Sequence, residues 1–334
     1  MDFSSLSRRW FGKGLLATLF AAAFTTQAAA QAFPDKPVTL VVPFAAGGSL
    51  DVTARIIADK LKEILGQPVV IANRPGAGSS VGARAVASAP PDGHTLFFTS
   101  GSTFGFSHLL VPNFELKLDS FVPIAAVASN PAVIVSTNKL PVKTLAELGS
   151  YANPAEISFC STGAGGLNHL QLEMFKRVVK AKTGKDFAVT HVPYNGVAPA
   201  LTGIREGSVH ACMLPYTALV KQLHGKDLRV LAVQSAQRLP WLPDVPTTGQ
   251  QGYPELDGND AFVNIAAPKG TPPAVIARLE SAIQQAMQDP VVRKKLEDLE
   301  VQIVYMNSRD TQKWLEHDVR KFSTIIREAG LVAK

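Results

Sequence analysis

The sequence predicts an α/β protein of two lobes, each a mainly parallel sheet covered by helices, joined by two strands that cross between them. Three observations predict it. Short apolar runs alternate with helix-period segments from residue 38 onward, the pattern of buried parallel strands and their covering helices. The alternation then starts afresh near residue 157, with the same strand, glycine-rich loop and helix in the same order. The chain has 334 residues, 46% hydrophobic and 18% charged, which suits one large domain or two ordinary ones with a real core.

The first unit opens with Val38-Thr39-Leu40-Val41-Val42-Pro43, a buried strand, and the small-residue loop Phe44-Ala45-Ala46-Gly47-Gly48-Ser49. A helix follows with Val52, Ile56, Ile57, Leu61, Ile64 and Leu65 on one face, and Gly66 stops it. Val69 to Ala72 is the next strand, Gly82 to Ala89 a short helix, and Thr95 to Phe98 a third strand running into Thr99-Ser100-Gly101-Ser102. The second unit has a strand at Ile157 to Cys160, the loop Ser161-Thr162-Gly163-Ala164-Gly165-Gly166 and a helix from Asn168 to Val179. Strands at 188–192, 209–214 and 229–233 and a short helix at 199–206 complete it. Residues 240–258 hold four prolines and three glycines and read as a long surface segment. The chain ends with a strand at Phe262 to Ala266 and three helical stretches: one near Pro272, one after Asp289-Pro290, and one from Ser308 to Ala329. Val133-Ile134-Val135 and Phe262-Val263-Asn264-Ile265 are the expected crossing strands. The lobes are then residues 31–132 plus 261–334, and residues 133–260.

The N-terminus reads as an export signal. Arg8, Arg9 and Lys13 precede the apolar run Leu15 to Phe24, and Ala28-Ala29-Ala30 offers a cleavage site. The run is about half the length of a spanning helix, so residues 1–30 are expected to be removed and the mature chain to be soluble in the periplasm. Ser7-Arg8-Arg9-Trp10-Phe11 fits a twin-arginine signal as well as an ordinary Sec signal. Cleavage removes three cationic residues and one acid, which leaves 30 − 26 = +4. No basic stripe with interleaved aromatics occurs, which argues against nucleic acid as a partner. A protein outside the cytoplasm also lacks the ATP and NAD(P)H pools, so no cofactor is expected.

Two α/β lobes joined by two strands leave a cleft at the carboxyl ends of their strands, where such sheets bind ligands. Each glycine-rich loop sits between a strand and a helix start. Glycine lets the backbone come close to a ligand, and a helix N-terminus offers unpaired N–H donors and a positive dipole end. Neither loop contains Lys or Arg, and no G-x-x-x-x-G-K-[ST] occurs. A carboxylate held by neutral donors therefore fits better than a phosphate. The alternative is that each loop is only a tight turn. Asp51 reads as a capping residue behind an N-cap at Gly48 or Ser49, or as a counter-charge for a ligand amine.

Phe33-Pro34-Asp35-Lys36-Pro37-Val38 through Gly47-Gly48-Ser49-Leu50-Asp51 resembles the opening of the Bug family, the periplasmic receptors of tripartite tricarboxylate transporters. The resemblance continues through Asn73-Arg74-Pro75-Gly76-Ala77-Gly78, Pro91-Asp92-Gly93-His94, His191-Val192-Pro193-Tyr194-Asn195-Gly196, Pro243-Asp244-Val245-Pro246-Thr247 and Ala267-Pro268-Lys269-Gly270. It covers essentially all of the mature chain. It implies a type II periplasmic-binding-protein fold and a monomeric receptor with one small organic acid in the interdomain cleft. It implies partners too: transporter membrane subunits or a sensor kinase. It places the ligand carboxylate at Phe44 to Ser49 and Ser161 to Gly166, with Ser100 and Gly101 nearby and His169 and Tyr194 at the cleft. The sequence departs from the family at Thr103-Phe104-Gly105-Phe106-Ser107-His108 and at Met213-Leu214-Pro215-Tyr216. There Phe104, Phe106 and Tyr216 are candidates for an apolar far wall of the site, or are ordinary core residues.

Other signals compete. Gly78-Ser79-Ser80-Val81-Gly82 matches G-x-S-x-G and would make Ser80 a hydrolase nucleophile. An elbow needs that serine on a tight strand-to-helix turn, and Asn73 to Gly78 intervene. The seven histidines contain no H-E-x-x-H, so no metal is expected. Cys160 and Cys212 fall on two strands that can be neighbours. A disulfide between them suits the periplasm, although parallel neighbours often aim their Cβ atoms wrongly for it. Lys313, Arg320, Lys321 and Arg327 with Glu316, Asp318 and Glu328 read as a solvated helix face.

Overall fold

The computed structural model describes residues 33–76, 79–101, 105–110, 112, 114–218, 228–259 and 261–333. The export segment and Phe104 lie outside the described residues. Lys36–Lys334 forms one compact unit.

In the first lobe the strands are β1 (Val38–Val42), β2 (Val69–Asn73), β3 (Thr95–Ser100), β4 (Phe121–Asn130), β10 (Ala261–Pro268) and β11 (Gln302–Met306). They order as β11-β4-β10-β3-β1-β2. The second sheet contains β5 (Ala132–Thr137), β6 (Ser158–Ser161), β7 (Thr190–Pro193), β8 (Ala211–Pro215) and β9 (Leu228–Val233), in the order β7-β6-β8-β5-β9. Both sheets are mixed rather than mainly parallel. β1 pairs in parallel with β2 and β3, and β6 with β7 and β8. The segments that connect the lobes run the other way: β10 is antiparallel to β3 and β4, and β5 to β8 and β9.

The chain leaves the first sheet at Asn130 and enters the second at Ala132, with Pro131 alone between them. It returns after β9 by way of two short 3-10 turns, Gly249–Gln251 and Pro254–Leu256, to β10. Residues 133–135 and 262–265 are therefore interior to one sheet each, and the crossings lie just before them. The segment expected at the surface, 240–258, also closes a core, since Thr248 and Leu256 are fully buried.

The main helices are α1 (Ser49–Leu65), α2 (Ser80–Ala87), α3 (Leu167–Thr183), α4 (Val197–Glu206), α5 (Pro273–Gln288), α6 (Pro290–Glu297) and α7 (Ser308–Glu328). α1 buries Ala54, Ile57, Ala58, Leu61 and Leu65, an i, i+3, i+4, i+7 face. It ends at Gly66, whose left-handed φ of 70° lets its N–H reach the Lys62 carbonyl. Asp289 caps α6 by accepting from the amides of Val291 and Val292. α7 spans both lobes. Thr311 Oγ1 accepts from Ala126 N of β4, whereas Phe322, Ile325 and Ile326 sit in the core beneath the second sheet. The last helix, assigned from sequence to the first lobe alone, thus contributes to both cores.

Cys160 and Cys212 occupy opposed positions on parallel strands β6 and β8 and form a disulfide, with Cα atoms 4.4 Å apart. β4 and β11 are the two strands that sequence pattern misses. β4 reads Phe-Val-Pro-Ile-Ala-Ala-Val-Ala-Ser-Asn, small residues with an internal proline.

Candidate functional site

The two glycine-rich loops have one backbone geometry. In the first, Gly47 has φ 82° and Gly48 is the N-cap of α1 with φ −73° and ψ 164°. In the second, Gly165 has φ 71° and Gly166 is the N-cap of α3 with φ −70° and ψ 166°. The turn hydrogen bonds also correspond. Gly48 N donates to Ala45 O at 3.4 Å, and Gly166 N donates to Gly163 O at 3.2 Å. The first helical bonds are Val52 N to Gly48 O and Leu170 N to Gly166 O. Both helices therefore present first-turn amides with no carbonyl partner in their own helix, and neither N-cap glycine has a side chain to satisfy them.

Each loop is braced from behind by the residue four positions after its left-handed glycine. Gly47 N donates to Asp51 Oδ2 at 2.8 Å, and Gly165 N donates to His169 Nδ1 at 3.0 Å. The braces differ in chemistry. Asp51 is buried and also accepts from Arg55 Nε at 3.0 Å and Asn73 Nδ2 at 3.0 Å. The Arg55 hydrogen bond, with those from Gly47 and Asn73, outweighs burial and holds the carboxyl down at about 2. Asn73 Nδ2 also reaches the Phe44 carbonyl at 3.1 Å. Asp51 thus behaves as neither a simple cap nor an exposed counter-charge; it fixes the loop from inside.

His169 stacks on His191 with ring centroids 3.8 Å apart and planes 10° from parallel. His191 Nε2 lies 2.8 Å from Ser161 Oγ, which in turn donates to Gly163 O. Burial lowers the pKa of His169, with Glu173 opposing and Lys176 assisting. Burial, His169 and Lys176 together push His191 down to about 4. A neutral His169 is what the Gly165 hydrogen bond requires, because Nδ1 must accept. His191 was not singled out from sequence, although it opens a family-like segment. Its signal is its register position opposite Phe159 on the strand beside Ser161.

A cavity of about 500 Å³ lies between these loops, within the usual range for small-molecule sites. Of the residues expected from sequence, Phe44, Ser100, Thr162, Ala164, Gly165 and Gly166 line it, and so does Phe106. Leu50, Ser79, Asn130, Leu167, Asn168 and Gln171 also line it, as does Pro215 of the departing stretch Met213-Leu214-Pro215-Tyr216. Ala45, Ala46, Gly47, Gly48 and Ser49 form the exposed turn beside Phe44. Gly101 is packed against Trp314 and Leu315, and Ser161 and Gly163 form the base of the second loop. His169 and Asp51 stand behind the loops as braces.

Two expected residues turn elsewhere. Tyr194 packs its ring against Gly203 of α4. Tyr216 is buried, stacks on Trp241 and donates its hydroxyl to Glu300 of the first lobe. Burial first and Glu300 second raise its pKa. It is a link beside the Pro131 crossing, since Tyr216 N donates to Pro131 O. The sequence could not separate these roles, because an aromatic beside a cleft and one beneath it share the same pattern.

Ser80 is buried at the first position of α2 and follows Ser79, which is left-handed at φ 76°. Residues 74–79 separate it from β2, so it is not on a strand-to-helix elbow. Gly78 lies outside the described residues. Among the described residues no group of three His, Cys, Asp or Glu side chains could hold a metal ion. No helix among them is long and apolar enough to cross a membrane.

A family model described as the tripartite tricarboxylate transporter family receptor matches residues 53–331. The chain belongs to that family. Protein BugT of Bordetella pertussis is 34% identical over 311 residues, covering 91% of this chain and 93% of BugT. Among solved structures, the periplasmic binding protein BugD superposes with a TM-score of 0.72 at 29% identity, over 90% of this chain and 100% of BugD. MatC of Rhodopseudomonas palustris with bound malate gives 0.71 at 30% identity, over 88% of this chain and 100% of MatC. The R. palustris protein Rpa4515 with adipate gives 0.74 at 31% identity, over 90% of this chain and 99% of that one. This family member is thus a periplasmic solute-binding receptor with a periplasmic-binding-protein fold, in a family of binding proteins rather than enzymes.

Proposed function

We propose that the receptor captures one small organic acid in the cleft between its lobes and passes it to transporter membrane subunits or a sensor kinase. One observation carries this reading. Two loops of the same backbone geometry, one per lobe, bring helix N-termini to a single cavity of about 500 Å³. Unpaired amides and two positive dipole ends suit a carboxylate. The malate and adipate bound by the two R. palustris relatives support the ligand class. The loops belong to different lobes, so binding to both would favour a closed arrangement by hinge motion. The chain acts as a monomer in the periplasm, delivered there by residues 1–30, and the Cys160–Cys212 disulfide agrees with that compartment.

The test is calorimetric titration of the mature protein against mono-, di- and tricarboxylates and aromatic acids, with the mixtures then assayed for product. One acid per chain should bind and be recovered unchanged. Absence of binding by every acid, or conversion of a bound acid, would overturn the proposal.

A further inference from the structure

Thr162, Asn168 and Gln171 line the cleft and begin a chain of hydrogen bonds that leads away from it. Thr162 Oγ1 donates to Asn168 Oδ1 at 2.9 Å, Asn168 Nδ2 to Gln171 Oε1 at 2.9 Å, and Gln171 Nε2 to the backbone oxygen of Asn259 at 2.8 Å. Asn168 and Gln171 are buried, so each of these groups needs its partner. Asn259 is itself fixed: its Oδ1 accepts from Lys321 of α7 and its Nδ2 donates to Glu255 O at 3.2 Å.

The direction of the chain follows from its end. A backbone carbonyl can only accept, so Gln171 must turn its NH2 toward Asn259 and its oxygen toward Asn168. Asn168 must then offer its NH2 to Gln171 and its oxygen to Thr162. Thr162 must donate. Flipping both amides would set Gln171 Oε1 against Asn259 O, two acceptors buried face to face. A threonine hydroxyl has one proton, and here it is spent inside the protein. What remains at Thr162 is acceptor capacity.

We infer that the ligand carries a hydroxyl, which donates to Thr162 while its carboxylate lies at the loops. The inference rests on the proposed carboxylate-binding role and narrows it. A plain alkanoic or alkanedioic acid offers nothing to Thr162 and leaves the acceptor capacity of its oxygen unused once water is excluded. A ligand built to satisfy a polar group is discriminated strongly from its analogue lacking the group, because the unmatched partner stays buried.

The experiment uses matched acids that differ at one position: 2-hydroxy, 2-deoxy and 2-methoxy forms of three-, four- and six-carbon acids, titrated into the mature protein. The methoxy form keeps the oxygen and loses the proton. Within whichever chain length binds, the hydroxy acid should bind at least ten times tighter than the deoxy acid, and the methoxy acid no tighter than the deoxy. Thr162→Val should erase the hydroxy preference, and Thr162→Ser should retain it. Thermal melts of both variants verify folding. Equal binding of hydroxy and deoxy acids, or tight binding of the methoxy acid, would overturn the inference and leave the carboxylate receptor standing. So would a hydroxy preference that survives in Thr162→Val. Failure of every acid to bind would remove both.

Discussion

The two cleft loops share a backbone and differ in what stands behind it. Gly47 and Gly165 adopt the same left-handed turn, and Gly48 and Gly166 the same N-cap. Behind the first loop is an ionised carboxylate held at about 2 by Arg55 and Asn73. Behind the second is a neutral imidazole stacked on another. One acceptor stays charged across all ordinary pH; the other works only while it lacks a proton. The same ligand-facing geometry therefore rests on one support that ignores pH and one that depends on it.

The disulfide marks a further difference, because Cys160 immediately precedes the second loop and the first lobe has no counterpart. It closes a 52-residue separation. Replacing Cys160 and Cys212 by alanine should cost about 2–4 kcal/mol in chemical denaturation. A loss below about 1 kcal/mol would show that the strand pairing holds without the crosslink.

Removing each brace sharpens the contrast. Asp51→Ala leaves Gly47 N–H, Arg55 and Asn73 without their shared acceptor and should cost about 2–3 kcal/mol. His169→Ala leaves the Gly165 amide without its partner and should cost about 1–2 kcal/mol. Both should weaken acid binding at least tenfold. Equal stability of the two variants would mean that the extra partners of Asp51 contribute nothing.

The pH dependence should come from the second loop. Both imidazoles have folded pKa values below the ordinary 6.5, so the unfolded chain binds protons first as pH falls. Stability from this pair is complete above pH 6.5 and declines toward pH 4, the value for His191. The charged groups facing the pair are Glu173, 3.7 Å from His169 Nε2, and Lys176. Binding of a strongly acidic probe, ionised throughout, should weaken over that window. In His191→Phe, which keeps a ring for the stack, the window should narrow. A binding curve flat down to pH 4 would contradict the assigned role of the His169–His191 pair.

The smallest effect separates the glycines. Gly47→Ala and Gly165→Ala both place a Cβ in the left-handed region, at about 1 kcal/mol each. Around Gly47 the added atom meets nothing within 4 Å, whereas at Gly165 it touches Leu110 at 3.4 Å. Gly165→Ala should be slightly the worse in thermal melts.

The loops were readable in sequence as small-residue runs between a strand and a helix, a pattern that a ligand loop shares with a plain tight turn. The alternation of apolar runs gave both lobes and most strands within a residue or two. β4 escaped because alanines and Pro123 have little strand signal; it is held by β10 and β11 on either side. β11 escaped because all five of its residues are only half-buried, without alternation. The braces and the Thr162–Asn168–Gln171 chain were not legible as such. Histidine, asparagine and glutamine on a helix look like surface residues until tertiary structure sets a backbone carbonyl from residue 259 against them. Tyr216 misled for the converse reason, since its partner Glu300 is 84 residues away.

The most direct test of the two-loop site uses its matched N-caps. Gly48 and Gly166 both have negative φ, and a Cβ at either meets only a carbonyl or loop backbone at 3.4 Å or beyond. Gly48→Val and Gly166→Val therefore add bulk over the two helix N-termini without a left-handed penalty. Titrated with the tightest acid of the panel, each variant should lose at least tenfold in affinity while its melting temperature stays close to the parent. If either variant binds that acid as tightly as the parent, the ligand is not held between the two loops.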